Sequence, residues 1–247
     1  MAFCKHFDLD LISALTGQLV EAFKELEEGT LTNEHISTLP TERGVYHLFQ
    51  KGMLVYVGKT DDLQGRLDDH RKKISGRHNI DLGEMGFKCL TVPRNWNPLA
   101  HEEQLIQYYR ENKGGCDWNG SSFGAHDPGR ERDSTKKSPD GFDRQFPIRE
   151  DWPCTTIEAG VLNAGRVLAM MKSEVPYLLR YDTENVDYKK VDIQVPKTGM
   201  RAVELMTLIT KTLPGWQSTL FPSHMILYKE SRTYPYGDVI WNEPVKP

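Results

Sequence analysis

The sequence has few cysteines, no long apolar run and no excess of basic residues. Only four cysteines occur among 247 residues, and none belongs to a C-x-x-C pair, which argues against a disulfide framework or a zinc site. No stretch approaches the roughly 18 consecutive apolar residues of a membrane helix, and the N-terminus lacks the pattern of a secretory signal. We therefore expect reduced thiols, a cytoplasmic location and no membrane partner.

The excess of acidic residues is concentrated near the N-terminus. The formal net charge is −4, which argues against a general nucleic-acid coat protein because such proteins are basic. Residues 1–43 carry 3 basic and 8 acidic side chains, whereas residues 44–150 carry 17 basic and 16 acidic ones. The acidic total is therefore compatible with a local basic site in the remainder of the chain.

The spacing of apolar residues predicts an α+β protein. The elements expected in the first half are a helix at residues 11–26, a hairpin at 44–60, a helix at 63–74, a strand at 84–92 and a helix at 99–111. Residues 113–150 are polar and rich in glycine, which predicts a long loop, and long loops are often functional. The predicted organisation is an N-terminal helical segment (1–43), a central domain with the long loop (44–154) and a C-terminal extension (155–247).

The C-terminal extension is predicted to be a small α+β unit. The expected elements are helices at residues 157–172 and 199–213 and strands at 175–181, 186–195, 225–228 and 239–241. The sequence contains no internal repeat that would indicate a solenoid or a propeller.

Six residues between positions 46 and 119 have the side chains that metal-assisted phosphodiester hydrolysis needs. They are Tyr46, Tyr56, Arg66, His70, Glu102 and Asn119. Arginine can bind a phosphate through two N–H groups and offset the charge of the transition state. Glutamate is a hard oxygen ligand for Mg²⁺, and a tyrosine can orient or deprotonate water if its pKa of about 10 is lowered. Arg66 and His70 are four residues apart and share one face of the predicted helix.

The sequence resembles the GIY-YIG nuclease superfamily at these positions. The segments Gly44-Val45-Tyr46 and Tyr56-Val57-Gly58 match its two strand motifs, and the remaining site residues follow in the family's order. The resemblance implies a small antiparallel or mixed sheet flanked by helices. It also implies that Tyr46 is the general base or water positioner, that Tyr56 lies near the phosphate and that Arg66 stabilises the transition state. Glu102 would hold Mg²⁺, or Mn²⁺, with Glu103 as the alternative ligand.

The segment Ser122–Arg130 is similar to a Gly-Phe-Gly-x-His-Asp-Pro-Gly segment of Eco29kI-type restriction endonucleases. This narrower resemblance implies a site-specific type II restriction enzyme that cleaves double-stranded DNA in a prokaryotic cytoplasm. It further implies a homodimer, because a two-fold symmetric protein matches a palindromic site.

Basic residues near the motifs are candidates for DNA contacts, although such residues are often only solvated surface charges. The candidates are Lys59, Arg71, Lys72, Lys73, His126, Arg130, Arg132, Lys136 and Lys137.

Two alternatives to a restriction enzyme stay open at this point. The first is a nuclease for modified, branched or phage DNA, in which residues 155–247 set the choice of substrate. The second is an inactive DNA-binding module, because the segment before Asn119 lacks the proline that is usual in the superfamily.

Overall fold

A computed structural model describes residues 3, 4, 6, 11–93, 99–112, 114–124, 127, 129–135 and 141–242. The chain divides into two units. Unit 1 comprises residues 1–71 and 81–124, and unit 2 comprises residues 72–80 and 125–247. These units are defined by packing alone, and the domain boundaries expected at residues 44 and 155 remain predictions.

Unit 1 begins with the predicted N-terminal helix. Its first elements are helix α1 (Leu11–Glu25), the short strand β1 (Gly29–Thr30) and helix α2 (Asn33–Ser37). Leu19, Val20 and Phe23 on one face of α1 are buried, as the three- and four-residue spacing predicts. The side chain of Thr32 accepts a hydrogen bond from the amide of His35 and caps α2.

The central sheet of unit 1 is built around the predicted hairpin. Strand β2 (Gly44–Gln50) pairs with β3 (Met53–Thr60) and with β4 (Met85–Thr91), and the antiparallel sheet has the order β1-β4-β2-β3. The hairpin turns at Lys51 and Gly52, whose φ angles are 52° and 74°. Two positive φ angles are the requirement of a type I′ turn, which matches the twist of the strands that it joins.

Two helices complete unit 1. Helix α3 (Leu63–Ser75) follows β3 and crosses the unit boundary after Arg71, and helix α4 (Leu99–Asn112) follows β4. The α1, α4 and strand side chains share a hydrophobic cluster. Its buried members are Leu19, Val20, Phe23, Val45, Val57, Val92, Leu105, Tyr109 and Cys116.

Unit 2 contains two further sheets and several helices. Its elements are α5 (Arg130–Asp133), α6 (Gly141–Gln145), β5 (Gly160–Asn163), α7 (Ala164–Glu174), β6 (Leu178–Tyr181), β7 (Asp192–Val195), α8 (Ala202–Lys211), β8 (Gln217–Leu220), β9 (His224–Tyr228) and β10 (Asp238–Asn242). One sheet has the order β10-β8-β9-β6, with β6 and β9 parallel, and β5 pairs with β7 in the other. A hydrophobic core that includes Trp216, Leu205 and Val167 lies within this unit.

The structure confirms the predicted α+β class, with antiparallel and mixed sheets flanked by helices. Three predicted elements were wrong in detail. The helix expected at residues 157–172 is strand β5 followed by α7, because Asn163 caps a helix that starts only at Ala164. The strand expected at 186–195 is a 3₁₀ turn followed by β7, and the loop expected at 113–150 contains α5 and α6.

The four cysteines are free thiols. No helix in the described ranges is both long and apolar enough to cross a bilayer.

Candidate active site

The sheet register brings Tyr46 and Tyr56 to one face of the hairpin. Tyr46 on β2 lies directly opposite Gly58 on β3, two residues beyond Tyr56, and side chains two apart on a strand share a face. A β-carbon at Gly58 would lie 2.4 Å from the hydroxyl oxygen of Tyr46 and 2.7 Å from a ring carbon of Tyr56. Only glycine therefore leaves room for the two rings as they are packed.

The hydroxyl group of Tyr46 is the meeting point of the predicted residues. It shares a hydrogen bond of 2.7 Å with Nε2 of His70 and accepts one of 3.3 Å from Nε of Arg66. His70 and Arg66 come from the same face of α3, as their four-residue separation predicts. The structure therefore brings together three of the six candidate catalytic residues by direct hydrogen bonds.

The tyrosine hydroxyls are protonated at neutral pH in this arrangement. Burial raises the pKa of Tyr46 well above its usual value of about 10, and repulsion from Tyr56 adds to the effect against the opposing influence of Arg66. Burial raises the pKa of Tyr56 as well, followed by the negative charge of Glu102. A tyrosine that deprotonates water needs a lowered pKa. The protein by itself raises the pKa of both tyrosines instead.

Arg66 is the half-buried cation of the cluster. Burial opposes its charge, but the hydroxyl groups of Tyr46 and Tyr56 more than offset this effect and raise the pKa of the guanidinium. Arg66 is partly exposed, whereas Tyr46 has no exposed surface. The cation thus forms the part of the cluster that a phosphate in solvent could reach first.

An aromatic stack holds His70 in place. The ring of Phe123 stacks on His70 with a centroid distance of 4.7 Å and contacts Tyr56 edge-on at 5.0 Å. Both His70 and Phe123 are buried. The imidazole is therefore fixed between the tyrosine hydroxyl and an aromatic face, which restricts its ring to one orientation.

Glu102 on α4 forms an ion pair with Lys59 at the end of β3, with 3.2 Å between Oε2 and Nζ. Its carboxylate also acts electrostatically on Tyr46 and Tyr56, so it lies in the same site. Glu103 is exposed. Among the described residues no group of three or more acidic, histidine or cysteine side chains could hold a metal. A single partly exposed carboxylate nevertheless fits Mg²⁺, which keeps most of its waters and takes one or two protein carboxylates.

Asn119 has a structural position beside β3. Its Oδ1 accepts a hydrogen bond of 2.9 Å from the amide of Val57, and its Nδ2 donates one of 2.8 Å to the Val57 carbonyl. Arg110 donates to the Asn119 carbonyl at 2.8 Å. Asn119 therefore holds the strand that carries Tyr56, although the expected proline before it is missing.

The candidate DNA-binding residues divide between the two units. In unit 1, Lys59 is paired with Glu102, and Arg71 is paired with Asp68 at 2.7 Å. Lys72 and Lys73 belong to unit 2. His126, Lys136 and Lys137 lie outside the described residues.

Two further candidates in unit 2 take part in its own ion pairs. Arg130 lies 4.1 Å from the ring centroid of Tyr228 and 3.4 Å from Glu230. Arg132 pairs with the buried Asp143 at 2.6 Å. Their guanidinium groups already have protein partners, so a DNA contact would have to share or replace them.

Sequence reasoning did not assign roles to Gly58, Phe123, Gly124 and Arg110. A β-carbon at Gly124 would lie 2.1 Å from the Tyr56 hydroxyl oxygen. The signals for three of them were present, since Gly58 ends the second strand motif and Phe123 and Gly124 lie in the segment Ser122–Arg130. Arg110 had no sequence signal, because its bond to Asn119 depends on tertiary packing.

Comparison with known proteins identifies a catalytic domain in the part of the chain that carries these residues. Residues 42–114 match the model of the GIY-YIG catalytic domain, and this range includes the hairpin, α3 and α4. A search of curated proteins found no match to the chain. The matched domain is that of endonucleases, which are hydrolases that bind and cleave DNA. The chain therefore contains a GIY-YIG nuclease domain at residues 42–114.

Proposed function

We propose that the protein is a Mg²⁺-dependent, site-specific endonuclease of the type II restriction class that cleaves double-stranded DNA. The observation that carries the proposal is the hydrogen-bonded group of Tyr46, His70 and Arg66 with Glu102 nearby. This arrangement supplies a proton acceptor, a phosphate-binding cation and a hard anionic ligand within one site.

Tyr46 and His70 activate the attacking water in this proposal. With Nε2 of His70 unprotonated, the Tyr46 hydroxyl donates to that nitrogen, and it can pass its proton there as it accepts one from water. The buried hydroxyl has a raised pKa, so the imidazole acts as the final acceptor. Arg66, which now covers the hydroxyl, moves onto the phosphate and stabilises its developing charge.

Glu102 is the residue that would hold Mg²⁺, and the bound ion would neutralise charge on the leaving oxygen. Lys59 is the present partner of this carboxylate. On DNA binding its ammonium group is free to shift to a phosphate oxygen, because it has three donors on a flexible stem.

Digestion of plasmid DNA with MgCl₂ tests the proposal, and the matched variants are Glu102→Ala and Glu103→Ala. These residues are neighbours on α4, but only Glu102 lies in the site. We expect Glu102→Ala to abolish cleavage and Glu103→Ala to retain it. Equal cleavage by both variants and the wild type would refute the assignment of Glu102. If only Glu103→Ala loses cleavage, Glu103 and not Glu102 is the metal ligand.

Run-off sequencing of the products decides between the restriction class and the alternatives. A single recurring sequence in unmodified duplex DNA supports a restriction enzyme. A requirement for modified or branched DNA supports the alternative in which the C-terminal extension sets the substrate. Unit 2 has a hydrophobic core of its own, and a separately folded unit favours that alternative. Binding without cleavage at any Mg²⁺ or Mn²⁺ concentration would support the inactive module.

We further propose a homodimer in the cytoplasm of a prokaryote. Double-strand cleavage at a palindrome needs two equivalent sites related by a two-fold axis. Sedimentation of the protein with and without its DNA site measures this directly, and a strictly monomeric protein on cleaved DNA would exclude the dimer.

A further inference from the structure

A cavity lies in unit 1, on the side of the sheet that is opposite the tyrosine hydroxyls. It has a volume of about 500 Å³ and is lined in part by His47. His47 follows Tyr46 on β2, and adjacent residues on a strand face opposite sides of the sheet. The cavity is therefore distinct from the candidate active site. Its aromatic and charged lining residues are Phe23, Phe49, Tyr109, Lys24, Lys88 and Asp117.

The buried imidazole of His47 lacks a hydrogen-bond partner at Nε2 within the described part of the chain. Its side chain is only 2% exposed, and its ring stacks on Phe23 at 3.6 Å and contacts Tyr109 edge-on at 4.9 Å. Burial, and then the charge of Lys88, lower the pKa of His47 to about 3. The ring is thus neutral and offers one donor and one acceptor nitrogen. An unpaired buried polar atom is unfavourable and calls for a partner.

Lys88 supplies a positive charge to the same cavity. It lies opposite His47 in the sheet register, and its Nζ donates to the Phe23 carbonyl at 3.4 Å. Within the described ranges, no carboxylate lies within ion-pair distance of Lys88, whereas Lys24 is paired with Glu21. A half-buried ammonium group without a counter-ion favours an anionic ligand.

The remaining walls suit a flat ring. Phe49 is partly exposed and the buried Tyr109 lines the cavity beside it, and aromatic surfaces favour stacked or edge-on aromatic partners. Met53 at the mouth is 67% exposed, and a methionine side chain adapts to ligands of differing shape. Asp117 can accept hydrogen bonds from hydroxyl or amino groups. The volume lies within the usual range of about 300–1,000 Å³ for ligand pockets.

We propose that this cavity binds a nucleoside monophosphate, with the planar base against the aromatic walls and His47, the phosphate at Lys88 and ribose or amino groups at Asp117. A free nucleotide and the phosphorylated end of a nucleic-acid strand both offer this base, sugar and phosphate. The proposal is independent of whether the chain cleaves DNA.

Calorimetric titration of the full chain with adenosine monophosphate is the test, with the Met53 methyl resonance as a site-specific readout. We expect saturable binding that shifts this resonance, and at least tenfold weaker binding of adenosine or inorganic phosphate alone. Guanosine, cytidine and uridine monophosphates are titrated in parallel. A phosphorylated dinucleotide that binds more tightly than every mononucleotide would identify a strand end as the source.

The matched variants are Lys88→Met and Lys197→Met, which remove the same charge at different places. Lys197 is exposed and lies in unit 2. We expect Lys88→Met to weaken binding at least tenfold and Lys197→Met to leave it unchanged. His47→Gln keeps a donor and an acceptor and should bind more tightly than His47→Leu. The proposal is overturned if no mononucleotide binds saturably, if phosphate alone binds as tightly, or if Lys88→Met equals the wild type.

Discussion

In a Gly58→Ala variant, one methyl group would enter the space between the rings of Tyr46 and Tyr56 in the candidate active site. The added carbon would lie 2.4 Å from Cζ and from the hydroxyl oxygen of Tyr46 and 2.7 Å from Cε1 of Tyr56. Contacts below 3.0 Å do not occur with real β-carbons, so a ring or the strand has to move. Gly58 does not have a positive φ angle, and alanine therefore adds no backbone strain.

The expected loss of stability follows from the packing around Tyr46. This side chain is completely buried, and overpacking of a filled core typically costs about 1–3 kcal/mol. Each kcal/mol lowers the melting temperature of a chain of this size by roughly 2–4 °C. In the proposed mechanism, displacement of the Tyr46 hydroxyl from His70 should also reduce cleavage by about 10²-fold or more, which is the usual contribution of a general base.

The control is Gly17→Ala on α1, because Gly17 is exposed and a β-carbon there meets no atom within 4 Å. In a helix, this change should stabilise the protein by up to about 1 kcal/mol. Urea denaturation and plasmid cleavage are measured for both variants. If Gly58→Ala retains wild-type stability and cleavage, the close packing of Gly58 against the tyrosines is refuted.

Three further changes have defined outcomes. Asn119→Ala should cost about 1–3 kcal/mol in urea denaturation, because the buried amide and carbonyl of Val57 lose their partners; unchanged stability would contradict this role. The lowered pKa of His47, about 3 against an ordinary 6.5, means that the unfolded chain takes up a proton as pH falls below about 6.5. The free energy of unfolding should therefore decline from pH 6.5 towards pH 3. In His47→Phe it should decline less between pH 6.5 and 5, and parallel stability curves for the variant and the wild type would exclude His47 as a cause. Arg77 and Asp143 are a buried pair 2.9 Å apart, so Arg77→Met or Asp143→Leu alone should cost about 3–5 kcal/mol. The double variant should lose less stability than the sum of the two single losses. Strictly additive losses would argue against an interaction between Arg77 and Asp143.

Local sequence signals predicted the elements that build the site. The turn residues at positions 50–53, the apolar runs of the two hairpin strands and the spacing of Arg66 and His70 all act within a few residues. These features therefore could be predicted without knowledge of the tertiary fold. The order of the strands and the matched domain then agree with the resemblance that the motifs indicated.

The features that could not be predicted depend on distant parts of the chain. The sequence does not show that Tyr46 is fully buried or that Glu102 meets Lys59 across 43 positions. Nor does it show that Phe123 stacks on His70. Burial and packing of this kind determine the direction of the tyrosine pKa shift, which sequence reasoning alone could not establish.

The error at residues 157–172 had a different cause. Val161 and Leu162 are apolar neighbours that fit a helix or a strand equally well, and short apolar runs do not distinguish the two. The missed signal was Asn163, whose Oδ1 accepts hydrogen bonds from the amides of Gly165 and Arg166. An asparagine cap at this position begins a helix and therefore ends the preceding strand.

The chain segment before Asn119 also closes a sheet edge. β3 is the last strand of the order β1-β4-β2-β3, and the amides of Cys116 and Trp118 donate to its carbonyl oxygens while Asn119 bonds to Val57. An open edge strand is a template for pairing with a strand of another molecule and for aggregation. Copies of this protein are thus prevented from joining their sheets through this part of β3, and loosening the segment would create an aggregation-prone edge beside Tyr46 and Tyr56.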